Sequence, residues 1–137
     1  YKRQAALAAA RIDAATLEEL SGVLDEIEAS DDFEDHSRLD HAFHMTISEV
    51  AGNDALTSLI DVLRSRSRAY RIPDAGDAAE LKLHSDAGHR AILRGLAAAD
   101  PVAASAAASA HVAQTEYWVR RYTETDIVAE GSAVEPD

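Results

Sequence analysis

At 137 residues the chain has the length of one domain, enough to bury roughly two thirds of its unfolded surface around a single core. It contains no cysteine, which excludes disulfides and thiolate zinc sites, so any metal must be held by nitrogen and oxygen. With 25 acidic against 13 basic residues the net charge is −12, which opposes contact with phosphate backbones by this segment, and no apolar run reaches the roughly 20 residues of a membrane span.

Alanine occurs 29 times, strand-favouring runs are missing, and Gly and Pro fall where helices should break. These features predict an all-α fold, an antiparallel bundle of about six helices. The first helix covers roughly 2–11 and reads as the later part of a longer one, so further chain is expected before it. The second covers roughly 14–29, with Leu17, Leu20, Leu24 and Ile27 at 3–4 spacing, and an acidic loop from Ser30 to Asp35 follows. The third runs from about 36 to 51 and stops at Gly52. Asn53 can cap the fourth by accepting a backbone N–H with its side-chain oxygen. That helix continues to about Tyr70 and ends at the turn Pro73-Asp74-Ala75-Gly76. The fifth spans about 78–99. Asp100 then caps a sixth helix with Pro101 in its first turn, where a missing N–H costs nothing, running to about Tyr122. Residues 1–123 are thus read as the folded domain and 124–137 as a flexible acidic tail.

Helical wheels sort the six histidines. Asp40 and His44 lie one turn apart and border the side of the third helix that carries Phe43, Ile47, Val50 and Ala51. Ser85, Ile92, Leu93 and Leu96 fall within about 60° of His89, which is central to an apolar stripe. Ala104, Ala107, Ala108, Thr115, Trp118 and Tyr122 surround His111 in the same way. His84 points across from His89 and His41 is displaced by about 100° from Asp40, so both are expected in solvent. His36, one turn before Asp40 at the start of the helix, is ambiguous.

A carboxylate and three imidazoles on inward faces suit a divalent cation. An i, i+4 pair offers two ligand atoms from adjacent turns, and single histidines on two other helices supply the remaining directions. Zn²⁺ fits best, and Ni²⁺, Mn²⁺ or Fe²⁺ would fit with open positions filled by water or a ligand carboxylate. Asp-x-x-x-His alone is more often an ordinary helix-face pair, and a lone inward histidine more often a hydrogen-bonded core residue. Three such histidines beside one carboxylate would be a costly core without a common partner. Arg66 is a further anomaly, because Leu59, Leu63 and Tyr70 lie within about 60° of it. Either it forks onto the carboxylate of a small acid that also touches the metal, or it pairs with an internal acid or snorkels outward.

These residues carry a family resemblance. Leu39-Asp40-His41-Ala42-Phe43-His44, then Ala51-Gly52-Asn53, then Gly88-His89-Arg90-Ala91-Ile92-Leu93, and finally Ala110-His111-Val112 resemble the FCD effector-binding domain of the FadR subfamily of GntR transcription regulators. The likeness runs from about Ala5 to Tyr122. It implies a bundle of six or seven antiparallel helices, with the family's metal-binding aspartate at Asp40 and its histidines at His44, His89 and His111. It also implies a small organic acid as effector, with Arg66 the residue read here as its second contact, and a cytoplasmic homodimer. DNA binding is expected only through a winged helix-turn-helix that precedes such domains and is absent from this chain. The family's first helix usually begins earlier, with a glutamate about where Tyr1 stands, so the first helix is read as truncated.

A regulatory rather than catalytic role is therefore expected. One alternative is a helical-bundle metalloenzyme with a metal-activated water. The sequence offers it no H-E-x-x-H, paired E-x-x-H, Gly-x-Ser-x-Gly elbow or Gly-rich phosphate loop. Another is a metal-free dimerisation module built on the alanine-rich sixth helix, which leaves the histidines unexplained.

Overall fold

Long alanine- and leucine-rich stretches give the backbone little reason to leave the helix except where an Asx cap, a glycine or a proline intervenes. A computed structural model, which describes residues 1–67 and 75–131 and the side chains of 1–62 and 77–121, has six helices and, among the described residues, no strand. They are α1 (Lys2–Ala9), α2 (Ala14–Ala29), α3 (Phe33–Val50), α4 (Asp54–Ser67), α5 (Ala75–Ala97) and α6 (Pro101–Gly131). No helix is long and apolar enough to cross a membrane, among the described residues.

The caps follow the chemistry of the sequence. Asp13 accepts from the Thr16 N–H at 2.8 Å, Asn53 from Leu56 at 3.1 Å, and Asp100 from Val102 and Ala103 at 2.9 and 3.0 Å. Gly52 turns the α3–α4 corner at φ +71°. The Arg11 guanidinium closes that corner by donating to the Ala51 carbonyl.

Some boundaries differ from expectation. The acidic loop shrinks because Asp32 accepts from the Asp35 N–H at 2.9 Å and so starts α3 at Phe33, with Glu34 and Asp35 in its first turn facing the positive end of the helix dipole. α1 ends two residues early, at Ala9. α5 begins at Ala75 rather than about 78, inside the stretch read as a turn. α6 continues to Gly131 instead of stopping near Tyr122. Residues 123–130 contain neither Gly nor Pro. Loss of apolar periodicity is therefore not by itself a helix stop.

The core joins α1, α2, α3, α5 and α6 through Ala5, Ala8, Leu20, Leu24, Ile27, Phe43, Ile47, Ile92, Leu96, Ala104 and Ala108, all essentially buried. α1 runs alongside α3 in the same direction, since Tyr1 meets His44, Gln4 meets Ser48 and Arg11 meets Ala51. α5 and α6 are antiparallel and approach closely where Gly95 faces Ala104 and Gly88 faces His111. α2 is tied to α5 by Arg90, which donates to Glu28 and Asp25, and by Lys82, which donates to the Ile27 and Glu28 carbonyls at the end of α2. α4 packs on α3, where Thr57 donates to the Ser48 carbonyl at 3.1 Å.

Candidate metal centre

Three helices bring the predicted donors together. α3 supplies Asp40 and His44 from successive turns, α5 supplies His89, and α6 supplies His111. One ligand atom from each lies within 4.8 Å of all the others. Asp40 Oδ1 is 3.0 Å from His89 Nε2 and 3.5 Å from His44 Nε2, and the two imidazole nitrogens are 3.2 Å apart. His44 and His89 are fully buried, His111 is 6% exposed, and the Asp40 side chain, at 21%, is the most open of the four.

The surroundings hold the rings rather than compete for them. Phe43 is buried with its ring 5.3 Å from that of His44 and 5.1 Å from that of His89. Tyr1 meets His44 edge-on at 4.8 Å. The His111 ring lies 4.5 Å from His89 and 5.1 Å from His44. His89 Nδ1 is buried and meets no hydrogen-bond partner among the described residues, so packing fixes this ring's orientation.

The donor set fits a divalent cation. Metal–nitrogen bonds of about 2.0–2.1 Å in a tetrahedron place ligand atoms about 3.3 Å apart. The separations of 3.0, 3.2 and 3.5 Å among the Asp40, His44 and His89 donors bracket that value, and the four donors together, with His111, lie within 4.8 Å of one another. Two imidazole nitrogens facing each other and one carboxylate oxygen have too few protons to satisfy every approach by hydrogen bonding, whereas lone pairs converging on a cation need none.

The remaining histidines lie elsewhere. His36 Nε2 is 3.7 Å from Asp86 Oδ1, outside the cluster, and His84 is exposed as expected. His41 departs from expectation, being half-buried with its Nε2 3.2 Å from Asp61 of α4, because that acid draws it into the α3–α4 seam. The Arg66 side chain lies outside the described residues, as do those of Leu63 and Tyr70 on its predicted face. Leu59, two turns earlier on that face, is 53% exposed, and Ile60 is the buried residue. At this level the buried side of α4 is therefore rotated about 100° from the predicted one.

Two features of the site escape a reading of apolar stripes. Gly88 is the residue against which His111 rests, and a Cβ there would stand 2.7 Å from His111 Nδ1. Gln4 is fully buried among the alanines of α1, its side-chain oxygen 3.4 Å from Ser48 Oγ, one turn of α3 beyond His44. The signals were a glycine immediately before a candidate ligand histidine and one amide in a stripe of Ala5, Ala8 and Ala9.

The model of the FCD domain matches residues 3–114, which span every element of this site. The chain belongs to the FCD family. FCD domains are the C-terminal domains of GntR regulators, a regulatory rather than enzymatic family. Among solved structures, a GntR protein of Streptococcus agalactiae is similar at 28% sequence identity with a TM-score of 0.71. The alignment covers 83% of this chain and 51% of that one, so the FCD chain spans about half the length of this neighbour. No curated protein matches the chain.

Proposed function

We propose that this FCD domain is a sensor in which Asp40, His44, His89 and His111 hold a divalent cation, Zn²⁺ first by donor type, and that a small organic acid binding there controls a transcription regulator. The observation that carries the reading is the convergence of one carboxylate and three buried imidazoles from three helices at metal-ligand spacing. The cation would supply a fixed positive point for the acid's carboxylate. The protein supplies the rest: Phe43 walls the rings from bulk water, and the partly open Asp40 marks the side with access. Arg66 is the proposed second contact for the carboxylate, as a bidentate guanidinium would be.

DNA binding belongs to a winged helix-turn-helix preceding α1, because a segment of net charge −12 is a poor partner for phosphates. A cytoplasmic homodimer is the proposed working form. Signal transfer requires a coupling of about 1–3 kcal/mol between acid and operator. α3, α5 and α6 each carry a donor and each pack against α1, so a shift at the site reaches the first helix directly.

The test is metal analysis of tag-free protein, followed by thermal shifts across a panel of small carboxylic acids with and without chelator. Stoichiometric metal and an acid-dependent rise in melting temperature that chelator abolishes are expected. His89→Ala should lose the metal, and Arg66→Ala should keep it while weakening acid binding. Wild-type protein without metal would leave a dimerisation module, and turnover of a bound acid would favour an enzyme.

A further inference from the structure

One turn of α1 beyond the Tyr1–His44 contact, Gln4 occupies a position where its neighbours Ala5, Ala8 and Ala9 are all small and apolar. It is fully buried, and its Nε2 meets no hydrogen-bond partner among the described residues. Among the described residues, the one group its amide reaches is Ser48 Oγ, at 3.4 Å. Ser48 has a single hydroxyl proton, and its Oγ lies 2.9 Å from the His44 carbonyl oxygen, to which it can donate. If that proton goes to His44, the amide can be turned over so that Nε2 donates to Ser48, but Oε1 is then left over. In either orientation one polar end of a fully buried amide is unmatched among the described residues, a cost that an apolar residue would not incur.

We infer that Gln4 and Ser48 form a polar subsite next to the histidine cluster that recognises a hydroxyl on the bound acid. This rests on the proposed sensor reading and narrows its ligand to a hydroxy acid. A hydroxyl both donates and accepts, so it satisfies the amide in either orientation, whereas a methyl or hydrogen at the same place leaves the amide unmatched. Discrimination of this kind comes from the buried partner left without a bond when the wrong ligand binds. One hydrogen bond of ordinary strength corresponds to roughly 3–10-fold in affinity.

The experiment uses matched pairs that differ by one hydroxyl: glycolate against acetate, lactate against propionate, malate against succinate. Each is titrated calorimetrically into metal-loaded protein. Wild type should favour the hydroxy member of at least one pair by roughly 3–10-fold. Gln4→Met, close in volume, should keep full metal content and bring that ratio to about one. Its metal-free form should also melt higher than metal-free wild type, because an unmatched amide is gone; a purely structural glutamine would give the opposite shift. Ser48→Ala, which leaves Gln4 in place but removes its anchor, should lower the ratio as well and gives the reading if Gln4→Met does not fold. An unchanged ratio in the variants, or a wild type that binds both members equally, overturns the subsite and leaves the sensor standing. A metal-loaded wild type that binds none of the six acids removes the acid-sensor reading, and the subsite falls with it.

Discussion

Gly88 has no side chain at the point where the His111 ring comes closest to α5. A methyl group there would lie 2.7 Å from Nδ1 and 3.3 Å from Cγ of that ring, both too close without movement. Relief requires the imidazole to turn or α6 to retreat, and either displaces a donor from the cluster. Gly88→Ala should therefore destabilise the fold by about 1–3 kcal/mol. It should also weaken metal binding by roughly 10-fold or more, as loss of a ligand-orienting contact does. Gly22 is the control, since a Cβ there meets nothing within 4 Å in the middle of α2. Gly22→Ala should stabilise by about 0.5–1 kcal/mol through helix propensity and leave metal affinity unchanged. Urea unfolding and competition with a metal-binding dye measure the two effects; equal metal affinity in both variants would deny Gly88 its role. That the three histidines face inward was legible because each sits amid an apolar stripe, a one-dimensional signal. Gly88 and Gln4 were not, because their importance depends on which helix lies opposite, and a wheel drawn for one helix does not hold that information.

The same distinction holds for helical elements. Caps made by a side chain on its own next turn could be read from sequence, and Asn53 and Asp100 act as expected. Asp32 was overlooked because it sits among other acids, where no contrast marks it. At the level of Leu59 the buried side of α4 differs from the expected one because Leu59 and Ile60 are adjacent and equally apolar, so only packing against α3 chooses between them. The link between α5 and α6 is less ideal than its neighbours. Ala99 N–H donates to the Leu96 carbonyl at 2.9 Å and Asp100 N–H to the Gly95 carbonyl at 3.0 Å, the paired bonds of a Schellman motif. Its left-handed position is held by Ala99 at φ 49°, where glycine is the usual occupant. A Cβ in that conformation costs about 1–2 kcal/mol, partly offset by the extra chain entropy of glycine. Ala99→Gly should consequently stabilise the protein by about 0.5–1 kcal/mol, a rise of a few degrees in melting temperature. A fall in melting temperature would show that the link is unstrained.

At the scale of the whole molecule, the four donors come from α3, α5 and α6, while among the described residues α2 and α4 contribute none. α2 is held to α5 independently, by Arg90 on Glu28 and Asp25 at 2.6 Å and by Lys82 on the last carbonyls of α2. The hydrogen bonds from Arg90 hold the Glu28 carboxyl below its ordinary value, so this tie is present above about pH 4.5 and is lost as the pH falls further. At neutral pH it stays made whether or not a cation is bound. A cation bound at the cluster would therefore act as a strut between three particular helices. At a free metal concentration 100 times its dissociation constant it would add about 2.7 kcal/mol to the apparent stability. Chelation at pH 7 should lower the melting temperature by several degrees. It should also speed hydrogen exchange at the amides around His44, His89 and His111, where α3, α5 and α6 meet, and leave the amides of α2 beside Arg90 nearly unchanged. Mass-spectrometric exchange with peptide resolution reads both regions in one sample. Uniform acceleration over all six helices would mean that the cation stabilises only the global fold. No change anywhere would mean that the cluster holds its geometry by packing alone, with Phe43 and the stacked imidazoles sufficient to keep α3, α5 and α6 together.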